Sequence, residues 1–394
     1  MSSGSWVLSG IRAAGVAAMV AGASLVAQQP APSGLRTQDS GADYVVLIAS
    51  EVTDEIAMVR FRGDSGWVER IDMTGFNPGE PDGPHGLGAS PAGDAYYVSI
   101  AHGTPFGYLF KHDLATGRVI ANVELGLFPA SMQVSPDGHY VYVANFNLHG
   151  DMVPSSISIV STAEMLEVAR VETCAMPHGS RFNAQGTRHY STCMMAEALV
   201  EIDATTFRVA RHFVLTKGAE AGMSGAMRTA NSEQRTADHS GHGAAAPAAG
   251  NLKCSPTWAA PSPDGRSVYV ACNATSDIVE VDVSTWTLKR RIPAGNGVYN
   301  LALTHDGTKL VATNKRDQSV SVFDVASGRE LGRIATLRRV VHGVAISHDD
   351  KYAFVSVEGY GSEPGTLEMI DLTALKRVAS VDVGQMAGGI DVIR

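Results

Sequence analysis

The phrase SPDGHYVYVAN at 135–145 returns as SPDGRSVYVACN at 262–273 and as THDGTKLVATNK at 304–315. Each reads as a tight Asp-Gly turn followed by a strand, and self-similarity at a fixed period constrains architecture before any single residue is interpreted. Degenerate copies stand at SPAGDAYYVSI (90–100), NAQGTRHYSTC (183–193) and SHDDKYAFVSV (347–357). The copies are spaced about forty-five residues apart except across one insertion, a period that suits a four-stranded blade. After each phrase comes a further strand, and Asp203, Asp282, Asp324 and Asp371 fall where its hairpin should turn.

Six complete blades follow, starting near His85, Ala130, His178, Thr257, Tyr299 and His342. A seventh must be assembled from both ends of the chain: the terminal GGIDVIR matches the opening of a blade, and 44–72 supplies three strands without an innermost partner. Pairing them closes the ring and removes exposed sheet edges. The expected fold is therefore all-β, a seven-bladed β-propeller closed by its N- and C-terminal segments and spanning 43–394. An open β-solenoid is the competing architecture.

Residues 11–27 hold Arg12 followed by an apolar run with small residues at Ala21, Ala23 and Ala27, which reads as a secretory signal over 1–27; a membrane-tethered N-terminus is the alternative. Residues 28–42, rich in Pro, Ser, Gly and Gln, read as a flexible leader. A periplasmic or secreted protein with no span after signal removal is expected. The net charge of −9 argues against general nucleic-acid binding. Four cysteines fit export: Cys174 and Cys254 each precede an innermost strand, and Cys193 and Cys272 end the next strand of the same blade. The expected pairs are Cys174–Cys193 and Cys254–Cys272, although four cysteines allow three pairings and a thiolate metal site is the rival use.

Aligning the blades on the phrase puts His85, His178 and His342 at one equivalent position, the rim of the central channel. His102 and His149 fall in loops on the same face, and Glu51 and Glu358 occupy matching positions in blades that become neighbours on closure. Imidazoles from separate blades suit copper, zinc, iron or nickel, with carboxylates completing or orienting the shell. The competing structural reading is that a His-Gly pair caps a strand and bonds the next blade. Within the insertion at 216–253, Met223, Met227, His239 and His242 form a candidate copper-capture segment on the histidine face; its Gly/Ala-rich stretch lacks the periodicity of a packed element and is expected to be mobile. His305 and His348 lie on the opposite face, where a turn role is expected, and Arg338 and Arg339 near the rim read as a solvated pair. No CxxCH haem attachment, Walker loop, HExxH helix or GxSxG elbow is present, and nothing signals a nucleotide or flavin.

The segments Tyr142-Val-Ala-Asn145, Tyr269-Val-Ala-Cys272 and Val311-Ala-Thr-Asn314 resemble the YVTN repeat of bacterial exported propellers, a resemblance that covers nearly all of 43–394. The wider group is similar to the propellers of cytochrome cd1 nitrite reductase, nitrous oxide reductase and lactonases. This chain departs from them in lacking a c-type haem domain, an appended copper domain and a full histidine cage. The expectation is an exported, monomeric binding or interaction module for a protein or small molecule at the channel mouth, with copper held by the rim histidines. The alternative is a propeller enzyme, either a copper-dependent oxidoreductase resembling the selenium-binding-protein family or a lactone hydrolase. No catalytic residue is assigned.

Overall fold

The computed structural model describes residues 43–74, 81–102, 106–148, 150–151, 153–227 and 253–393. The expected signal and leader, His149, and the greater part of the insertion, including His239 and His242, lie outside the described residues. Seven antiparallel sheets, with no helix among the described residues, form the blades of a β-propeller. The innermost strands are Pro84–Ala89, Pro129–Val134, Pro177–Phe182, Pro256–Pro261, Val298–Leu303, Val340–Ile346 and Ala387–Val392, each packed against the next around the channel. The last pairs antiparallel with Tyr44–Ser50, with Val46 opposite Val392 and Ile48 opposite Ile390, so the two ends of the propeller share the seventh blade.

The sequence builds the turns directly. In the first full repeat Ser135 Oγ donates to Asp137 Oδ1 at 2.5 Å, the same oxygen accepts the His139 N–H at 3.0 Å, and Gly138 supplies the left-handed residue at φ 76°. Asp264 and Asp306 repeat the arrangement. On the outer hairpins Asp203, Asp282, Asp324 and Asp371 accept backbone N–H groups two or three residues on, as the sequence requires. Between the turns, buried Val, Ile, Leu, Tyr and Phe of adjacent blades meet face to face, for example Val46, Ile48, Val59 and Phe61 against Phe354, Leu367 and Met369.

Hydroxyls and close backbone approach lock the blades at the rim. The carbonyls of five of the seven rim residues are gripped from the preceding blade: Ser99 holds Ala130, Ser131 holds His178, Thr257 holds Tyr299, Thr313 holds His342 and Ser356 holds Gly388, at 2.6–3.1 Å. The glycine of each His-Gly pair permits this approach. A Cβ on Gly86 would lie 2.0 Å from the Ala130 carbonyl oxygen, and one on Gly179 2.4 Å from that of Thr257.

Both disulfides join the expected partners, Cys174–Cys193 and Cys254–Cys272, across the first two strands of their blades. One expectation needs correction. Part of the insertion is ordered as a fifth strand, Ala221–Ser224, antiparallel to Arg208–Val214 on the outer edge of the third blade. Its side chains are exposed, so no apolar pattern marked it; backbone pairing to an open edge is what holds it.

Candidate functional site at the channel mouth

His85, His178 and His342 all stand at the start of innermost strands and meet at one end of the channel. The rings of His85 and His342 are 6.2 Å apart across the gap left by Gly388. His178 stands on the other side, and Tyr299 fills the space between, with its ring 5.6 Å from His178 and 4.9 Å from His342. The Tyr299 hydroxyl lies 3.2 Å from His178 Nε2. Four rings, from blades one, three, five and six, thus form one layer.

Hydrogen-bond partners fix two tautomers. His178 Nδ1 lies 2.8 Å from the Thr257 carbonyl, and His85 Nδ1 lies 2.7 Å from Glu51 Oε2. A carbonyl or an ionised carboxylate only accepts, so each Nδ1 carries the hydrogen and, on the neutral ring, the lone pair is left on Nε2. Burial pushes His178 down to about 4 and drives His342 well below its ordinary value, with Lys315 adding to both shifts. These two imidazoles are neutral at pH 7. For His342 the Gly388 backbone lies beside Nδ1, and Nε2 faces Glu358 Oε1 at 3.8 Å.

A second layer surrounds the first, at one register position at the end of the second strand of each blade: Glu51, Ala101, Phe146, Met194, Asn273, Lys315 and Glu358. One arc is charged and the other apolar. Glu51 bridges His85 and His102, reaching His102 Nε2 from Oε1 at 2.6 Å. Burial alone would raise its carboxyl, but the His85 charge and the hydrogen bonds of both rings outweigh this and hold it well below the carboxylate range. Glu358 is the last residue of its strand, Tyr352–Glu358, and burial raises its carboxyl against the opposing pull of Lys315, 3.5 Å away. Lys315 also lies over the Tyr299 ring at 4.4 Å. On the apolar arc Phe128, at φ 50°, sets its ring 5.5 Å from His85 and 5.4 Å from His102, while Phe146 lies 4.9 Å from His178.

The structure therefore brings together His85, His178, His342, His102, Glu51 and Glu358. Met223 lies apart from them, on the exposed edge strand opposite His212, and that strand runs from the histidine end toward the opposite face. Met227 follows it and packs beside the cluster containing Tyr142 and Val200. Among the described residues no three His, Cys, Asp and Glu side chains are already gathered as a metal cage. Tyr299 stands beside His178, and the Lys315–Glu358 pair beside His342. On the opposite face His305 bonds Asp350 at 2.7 Å and so ties two turns together. Arg338 reaches Asp382 at 3.5 Å, and Arg339 lies over the Tyr360 ring.

Tyr299 and Lys315 were not singled out by the sequence reading, although the signal was present. Tyr299 occupies in blade five the register of the three histidines, and Lys315 that of Glu51 and Glu358. Phe128 and Phe146 carry no such chemical flag and are visible only through the packing.

The fold and its polar channel mouth define a seven-bladed β-propeller. No protein-family model matches the chain, and no curated protein matches its sequence. Among solved structures it is similar to hydrazine synthase of Kuenenia stuttgartiensis, at 16% identity and a TM-score of 0.59, covering 80% of this chain and 92% of that one. A functionally unknown protein from Desulfotomaculum acetoxidans is similar at 12% identity and a TM-score of 0.61, covering 88% of this chain and 98% of the other. At these identities the likeness is one of fold.

Proposed function

We propose that this is an exported propeller of the YVTN-repeat kind that binds copper at its channel mouth through His85, His178 and His342. The observation that carries the reading is the outward anchoring of Nδ1 on His85 and His178, by a carboxylate and by a backbone carbonyl. Metal-binding imidazoles are held in this way, with the lone pair of the other nitrogen turned to the ion. Burial supports it by keeping His178 and His342 neutral, the state that ligates. Tyr299 and Glu358 are oxygen groups at the same place, and Glu51 is the carboxylate that orients His85 and His102. Bound copper would supply a Lewis-acidic, redox-active centre; the chain's own groups orient the ligands and, through Phe128 and Phe146, limit access of water.

The rigid ring favours binding over chemistry as the primary role, because the donors come from separate blades locked by hydroxyl-to-carbonyl bonds. The disulfides and the reading of 1–27 as a signal support export. A capture role for Met223, Met227, His239 and His242 remains part of the proposal, with delivery along the edge of blade three. Electron paramagnetic resonance of the protein loaded with one equivalent of Cu(II) tests the ligand set. Nitrogen hyperfine structure from at least two imidazoles, lost in His178→Ala, is expected; a spectrum of solvated copper in the wild type would refute the site.

A further inference from the structure

Next to the histidine layer the channel holds a cavity of about 30 Å³, lined by His85, His178 and His342 and by Arg181, Trp258 and Asn300. Arg181 is surrounded by protein yet keeps surface toward this space. Nη1 of its guanidinium donates to the Ser180 carbonyl at 2.7 Å and, at 3.5 Å, to that of Met132, and the group lies 4.7 Å above the Trp258 ring. Nε and Nη2 have no hydrogen-bond acceptor among the described residues, and no described carboxylate forms an ion pair with the group. Asp391 acts on it only through space: its carboxylate accepts the Ala89 N–H at 2.8 Å and the Val392 N–H at 2.9 Å. A guanidinium largely enclosed by protein, with two of its nitrogens facing the cavity and no ion-pair partner, is a site that an anion in the cavity would complete.

Two further groups on the same cavity wall lack partners. Asn300, 2% exposed, makes no hydrogen bond from its side-chain amide N–H groups among the described residues, and Trp258, 7% exposed, has no acceptor for its indole N–H. Side-chain donors inside a protein almost always find an acceptor, and three sets of unpaired N–H groups on the residues lining one void point to a missing occupant. The geometry points to a small planar monovalent oxyanion, of the formate, nitrate or bicarbonate class, held in the channel next to the histidines. The two N–H directions of Nε and Nη2 match a planar oxyanion two-to-two. At about 10–15 Å³ per water, the cavity has room for roughly two or three waters, or one anion of three or four heavy atoms. The inference does not require the metal.

The test is the thermal midpoint of chelator-treated protein titrated with sodium formate or sodium nitrate, with ionic strength held constant by gluconate, which is too large to enter. A saturable rise is expected with at least one of them. Arg181→Gln should weaken this response at least tenfold while its copper content stays that of the wild type, which separates this site from the one next to it. Asn300→Ala and Trp258→Phe should each weaken it threefold or more, and they remain informative if Arg181→Gln does not fold. No rise beyond gluconate, an equal rise with chloride, a full response in Arg181→Gln, or unchanged affinity in both other variants would overturn the inference.

Discussion

Deleting residues 387–394 removes the innermost strand of the seventh blade and tests whether the ring is closed by the two chain ends. The strand buries Ala387 completely, and Ile390 and Val392 to within 7% and 6% of full burial, against Val46, Ile48 and Phe354. At about 1.5–3 kcal/mol for each buried Ile or Val, and somewhat less for Ala, the deletion forfeits roughly 4–7 kcal/mol of apolar burial. It also strips the ladder from Tyr44–Ser50 and leaves that strand as an exposed edge. Against typical stabilities of about 5–15 kcal/mol, this is a large part of the total. For a chain of this size it corresponds to a fall in the unfolding midpoint on the order of 10 °C. Circular dichroism melts report the midpoint, and size exclusion reports any edge-to-edge association. A truncated protein that stays monomeric and melts within about 2 °C of the full chain would refute closure by this strand.

Reduction of both disulfides should lower stability by roughly 2–4 kcal/mol per bridge at most while leaving the far-ultraviolet spectrum unchanged, because each bond ties two strands already paired. Melts with and without a phosphine reductant check this. Acidification from pH 6.5 toward 4 should destabilise the protein, since the unfolded chain binds protons there that buried His178 and His112, both pushed down to about 4, refuse. The His178 contribution is about 3 kcal/mol, present above pH 6.5 and gone near pH 4, so His178→Phe should flatten the pH dependence in urea titrations. Ionised Glu51 acts in the same direction at lower pH, its stabilisation being lost as pH falls through its depressed pKa. Glu51→Gln leaves one acceptor oxygen for two imidazole N–H groups and should weaken copper binding about 10–100-fold in competition titrations; unchanged affinity would remove Glu51 from the site.

The repeated phrase made blade number, blade boundaries, ring closure and both cysteine pairs legible, because an Asp-Gly turn and its flanking strands are local chemistry that repeats in register. The same register brought His85, His178 and His342 to one rim. The same register also holds Tyr299 with the histidines and Lys315 with Glu51 and Glu358, but the residue types differ from blade to blade, and the contacts of Tyr299 with His178 and of Lys315 with Glu358 emerge only from the geometry. The edge strand Ala221–Ser224 was illegible for another reason: it is held by main-chain pairing and exposes its side chains, so neither hydropathy nor alternation marks it. Arg181 was hidden within an ordinary strand sequence, and its significance lies in the carboxylate that does not meet it.

Copper stoichiometry of the wild type against the His85→Ala/His178→Ala/His342→Ala variant, both reconstituted identically and dialysed against a weak chelator, tests the central proposal most directly. One tightly held ion per wild-type chain and none in a folded triple variant is the predicted result, with His239→Ala/His242→Ala loading more slowly to the same final content. Equal copper in the wild type and the triple variant, or none in either, would contradict it.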